Sequence, residues 1–81
     1  MTIGERIRYY RKSADMTQRE LAAASGIHYV SICNYESGKM TPQDDQLRKI
    51  ATALGISYSI LNDLESETKS FRTLGNLFEL L

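Results

Sequence analysis

Two tetrapeptides, TIGE at residues 2–5 and TQRE at 17–20, constrain this chain more than any other feature. In each, the threonine hydroxyl is spaced to accept from the backbone N–H three residues on, and the glutamate there can reach back to the threonine's own N–H. Two donors that a helix start leaves orphaned are thereby satisfied together, so each tetrapeptide predicts a helix N-terminus. The first helix is expected to run to about Ala14, with Ile3, Ile7 and Tyr10 recurring at helical spacing on its buried side. The second is short, because Gly26 ends it after Leu21, Ala22 and a run of small residues that lets another helix approach closely.

The same punctuation continues downstream. A third helix is predicted over His28–Glu36, stopping at Ser37-Gly38 with a glycine where the chain leaves the helix. Thr41-Pro42 puts a capping hydroxyl before a proline at the first helical position, and Asp44 and Asp45 then suit the positive end of the helix dipole. That fourth helix faces the core with Leu47, Ile50, Ala51 and Leu54 and ends at Gly55; Ser57 caps a fifth that carries Ile60, Leu61 and Leu64. No segment reads as a convincing strand. The expectation is an all-α, compact bundle of five helices, or six if the C-terminal stretch supplies another.

Eighty-one residues allow one domain around one modest core. No apolar run approaches the length of a membrane span. The N-terminus MTIGERIRYYRK lacks the apolar stretch of a secretory leader, so a cytoplasmic location is expected. One cysteine, Cys33, and one histidine, His28, exclude an internal disulfide framework and cannot make a structural zinc site. Scattered carboxylates such as Asp63, Glu65 and Glu67 form no nucleophile–base set, and there is no phosphate loop, so neither an enzyme nor a cofactor is expected. Net charge is zero, yet residues 1–39 hold six Lys/Arg against four acids while the remainder holds four against six. That asymmetry permits a polyanionic partner near the front without requiring one.

Two short helices joined by a glycine turn are also what a helix-turn-helix looks like. TQRELAAASGIHYVSICNYESGKMTP resembles the motif of the Cro/repressor-type (XRE) helix-turn-helix family: Thr17-Gln18 opens the first motif helix, Leu21-Ala22 follow, and Gly26-Ile27 turn. Ile32, Tyr35 and Glu36 lie on the second, and Gly38 and Pro42 lead out. Upstream Ile7 and Arg11 and downstream LRKIATALGIS match the flanking helices, so the resemblance covers residues 2 to about 64. It implies a lambda-repressor-like fold, a DNA-binding domain over residues 1–65, and a sequence-specific transcriptional regulator, in particular a repressor, that inserts helix 28–36 into the major groove of double-stranded DNA.

Helical geometry says which residues such a helix presents. At about 100° per residue, turning Ile32 inward sends Val30 and Asn34 almost directly outward, with Ser37 near them; Tyr29 and Cys33 form one flank and Ser31 the other. An asparagine can pair with the N6/N7 edge of adenine and a valine can lie on a thymine methyl, so the strip reads bases without needing positive charge. The resemblance further implies base contacts by His28, Tyr29 and Val30, with Asn34 one turn on, and a phosphate contact by Gln18. Lys39 and Ser31 are candidate phosphate neighbours. It also implies a structural ion pair between Arg11 and Glu36. Arg8, Lys12 and Arg19 read as solvated face charges, and Cys33 as an incidental small residue.

Residues 66–81 are expected to form a C-terminal amphipathic helix, with Phe71, Leu74, Leu77, Phe78 and Leu81 recurring at three- and four-residue steps. This stripe either completes the core or serves as the seam of a homodimer binding an inverted repeat. The competing reading keeps the fold but makes the protein an interaction module, or an antitoxin-like subunit whose tail grips a protein partner.

Overall fold

A computed structural model describes residues 1–62 as five helices: α1 (Ile3–Ser13), α2 (Gln18–Ser25), α3 (Tyr29–Ser37), α4 (Asp44–Leu54) and α5 (Tyr58–Leu61). The described part is all-helical. Both capping boxes close. Thr2 donates its N–H to Glu5 Oε1 at 2.9 Å while the Glu5 N–H reaches Thr2 Oγ1 at 3.1 Å; the corresponding distances at Thr17 and Glu20 are 2.8 and 3.0 Å. Gly26 and Gly38 end α2 and α3 in left-handed backbone, φ 74° and 86°, a region glycine enters without a Cβ clash.

The core draws one fully buried aliphatic residue from every helix: Ile7, Leu21, Ile32, Ile50 and Leu61. Each contributes about 1.5–3 kcal/mol by leaving water, and together they tie all five helices to one centre. Ala22, Ile27, Tyr35, Leu47 and Ala51 complete it, with Ile3, Tyr10 and Leu54 packed at its margin. Gly4 brings α1 onto the C-terminal end of α3. A Cβ there would lie 2.3 Å from the Tyr35 carbonyl oxygen and 2.9 Å from that of Glu36, so only glycine permits the approach.

Two expected details are corrected. Helix α4 begins at Asp44, not at Pro42: extended Gln43 occupies the cap position and its carbonyl accepts the Leu47 N–H at 2.9 Å, with no side chain capping the helix. Pro42 is buried ahead of the helix, which leaves Thr41 too far back to cap it. Helix α3 runs from Tyr29 to Ser37, because His28 is its cap and not its first turn. On α5, Leu61 is buried while Ile60 is 43% exposed. The stripe Phe71, Leu74, Leu77, Phe78 and Leu81, and Leu64 before it, lie outside the described residues.

Candidate nucleic-acid interface

Burial of Ile32 at the centre of α3 decides the orientation of that helix, and the opposite side follows from it. Val30 is 53% exposed on the outer face. Asn34, one turn on, is half-buried by the segment that follows the helix: its Nδ2 lies 3.5 Å from Met40 Sδ, and its carbonyl accepts the Met40 N–H at 3.1 Å. A thioether is a weak acceptor. The amide is therefore held in place without being strongly committed. Ser31 is half-buried on the flank. Lys39 is exposed just beyond the helix, its N–H on Ser37 Oγ at 3.3 Å.

The start of α3 is organised by His28. Its Nδ1 accepts the Val30 N–H at 3.2 Å, which requires a lone pair on that nitrogen and leaves Nε2 on the outer edge of the ring. The cap thus fixes the first turn of the helix and the backbone of Val30 together.

Beneath this surface, the helices are locked by a buried polar cluster. Arg11 of α1 makes a two-pronged contact with Glu36 of α3, Nε to Oε2 at 2.6 Å and Nη2 to Oε1 at 3.0 Å, while its Nη1 reaches the Met16 carbonyl at 2.8 Å. The Glu36 side chain is 1% exposed and that of Arg11 9%. Gln18, at the start of α2, donates from Nε2 to Glu36 Oε1 at 3.0 Å and accepts from Cys33 Sγ at 3.4 Å, so one carboxylate gathers α1, α2 and α3. Arg8, read from the sequence as a solvated charge, places Nε 3.5 Å from the same oxygen. Burial pushes the Glu36 carboxyl up, but hydrogen bonds from Arg11 and Gln18 and the charges of Arg11 and Arg8 outweigh it and hold it below the ordinary value. Arg11 is correspondingly raised, chiefly by its bond to Glu36.

The N-terminal turn of α2 stands beside α3. The Thr17–Glu20 box uses the N–H groups of Thr17 and Glu20, and no described residue accepts from those of Gln18 and Arg19. One hydrogen of the Gln18 amide nitrogen also remains after the bond to Glu36. On the adjoining flank, the Arg19 guanidinium carbon sits 4.0 Å from the centre of the Tyr29 ring. Neither that stack nor the Gln18–Glu36 bond was visible in the sequence, because each joins residues ten or more positions apart across a turn whose angle sets their meeting.

The model of the family described as Helix-turn-helix matches residues 7–76. This chain belongs to that family. Its relatives include the HTH-type transcriptional regulator DicA of Escherichia coli (strain K12), 44% identical over 57 residues, which are 70% of this chain and 42% of DicA. The cryptic phage CTXphi transcriptional repressor RstR of Vibrio cholerae is likewise 44% identical over 57 residues, 70% of this chain and 51% of RstR. Repressor protein C of Escherichia phage P2 is 39% identical over 49 residues, 60% of this chain and 50% of that protein. The chain thus matches about half the length of these relatives, or less. Among solved structures, the SinR protein/SinI protein complex aligns with a TM-score of 0.75 and 27% identity, covering 96% of this chain and 80% of the matched one. No helix among the described residues is long and apolar enough to cross a membrane, and no group of three or more His, Cys, Asp and Glu residues there could hold a metal ion.

Proposed function

We propose that this chain is a sequence-specific, double-stranded-DNA-binding transcriptional regulator, a repressor, that reads its site with α3 in the major groove. The observation that carries the reading is the outer strip of α3: Val30 is exposed and Asn34 is loosely held directly opposite a fully buried Ile32, on a helix whose only charged side chain, Glu36, is turned inside. Base edges are read by Val30 and Asn34, with the Nε2 edge of His28 at the start of the helix. Gln18, Ser31 and Lys39 surround that strip and supply phosphate contacts, Gln18 through its remaining amide hydrogen and the open end of α2. Family membership and the repressor names of the relatives support this reading.

One helix makes few base contacts, so two copies on an inverted repeat are part of the proposal. The seam is assigned to the stripe of Phe71, Leu74, Leu77, Phe78 and Leu81. A second reading, a module that binds another protein, is favoured by the zero net charge and by a structural relative that was solved as a complex of two proteins. Selection of bound duplexes from a random pool separates the two. Enrichment of an inverted repeat, with affinity that falls steeply as salt rises, supports DNA reading; a pool that stays flat supports a protein partner.

A further inference from the structure

The Arg19–Tyr29 stack joins the open end of α2 to the first residue of α3. We propose that Arg19 is a phosphate-contacting residue aimed by the ring of Tyr29, and that Tyr29 is a positioning residue for it and not a reader of base edges. The inference rests on the DNA-binding reading above and sharpens it at one residue pair.

Direction is the first argument. With Ile32 pointing inward, Tyr29 lies about 60° away and Cys33 about 100° away on the same side, whereas Val30 lies about 160° away. That side is the seam with α2, as the 3.4 Å contact from Cys33 Sγ to Gln18 Oε1 shows. The Tyr29 side chain is half-buried there, its ring against the Arg19 guanidinium. A ring laid along the seam does not reach the floor of a groove that Val30 faces.

Dimensions are the second argument. The major groove is about 12 Å wide and a helix with its side chains about 10–12 Å across, so a helix seated in the groove fills it and its neighbour meets the rim, where the phosphates are. The neighbour on this side is the N-terminal turn of α2. There, the N–H groups of Gln18 and Arg19, which have no partner among the described residues, and the remaining Gln18 amide hydrogen already favour an anion.

Chemistry is the third. Stacking on an aromatic face uses the charge of a guanidinium and none of its N–H donors. Arg19 is exposed, and no described residue accepts a hydrogen bond or forms an ion pair with it, so its donors remain for a planar, forked contact of the kind phosphate accepts. The nearest acid in the sequence, Glu20, has its carboxylate on the Thr17 N–H. Without the ring, the long Arg19 side chain samples many rotamers; with it, the side chain is fixed before DNA arrives.

The test is a salt titration of the whole chain on two probes, a duplex selected from the random pool and a random-sequence duplex. Arg19→Ala should make the slope of log K against log salt shallower by about 0.9, the release expected for one phosphate contact, and weaken both probes by the same factor. Tyr29→Phe keeps the face of the ring and should change nothing. Tyr29→Leu should weaken binding when Arg19 is present and have no further effect in the Arg19→Ala background, with thermal melts confirming that each variant is folded. An unchanged slope in Arg19→Ala, or a changed base preference in Tyr29→Phe, overturns the inference and leaves the DNA reading standing. Failure of the unmodified chain to bind either probe overturns both.

Discussion

Glu36 illustrates how a single side chain binds this fold together. It accepts from Arg11 and Gln18 while nearly sealed from solvent, so losing its charge leaves the Arg11 guanidinium buried without a counter-ion. Glu36→Gln should cost about 3–5 kcal/mol, read as a lower urea midpoint with unchanged slope. Replacing both partners by Arg11→Met and Glu36→Leu should recover much of that loss, since the desolvation of two charges disappears with them. The same carboxylate sets an acid limit. Its folded pKa is below its unfolded one, so the stabilisation is complete above the ordinary carboxylate range and disappears as pH falls through the lower, folded value. Urea midpoints between about pH 7 and 3 should decline on the acid side, and Glu36→Gln should flatten that decline. Asn34 tests the outer strip. Asn34→Ala removes a side chain held only by a thioether, so stability should hardly move, while DNA affinity should drop by about 1–3 kcal/mol with preference relaxed at one base pair. An equal loss on all sequences would contradict base reading by this residue.

Among the elements, the junction of α1 with α3 has the least tolerance. Gly4→Ala sets a methyl carbon against two backbone carbonyls, which cannot rotate away as a side chain would, so α1 must move off the end of α3. The expected outcome is a loss of more than about 1 kcal/mol in chemical denaturation, even though alanine is the better helix former by a similar amount. A stabilised variant would show that the close approach is dispensable. Capping boxes and terminal glycines were legible in the sequence because each is a local device spanning a few residues: Thr2–Glu5, Thr17–Glu20, Gly26, Gly38. The inward turn of Ile32 and outward turn of Val30 were legible too, since a helix repeats at a fixed angle. Gly4 was not, because its role depends on the distance between two helices far apart in the chain. The start of α4 was misread for a related reason. Thr41-Pro42 has the local signature of a cap, but burial of Pro42 takes it into the connection and passes the start of the helix to Asp44.

For the molecule as a whole, the central tension is a neutral chain proposed to bind a polyanion. The tension is resolved by placement: Glu36 is buried, the outer strip of α3 is uncharged, and Arg19 stands exposed on its flank with Lys39 exposed just past its end. Affinity that rests on so few cations has a measurable consequence. Two phosphate-neutralising residues per copy give a slope of log K against log salt of about −1.8 for one copy on a half-site duplex, and about −3.6 for two copies on the inverted repeat. Anisotropy titrations on the two duplexes, with sedimentation equilibrium to count the copies bound, measure both values. A doubling between half-site and full site supports a symmetric pair in which each α3 enters its own groove. An equal slope on the two would mean one copy spans the site, and a slope near zero on both would move the outer face of α3 from DNA to a protein partner.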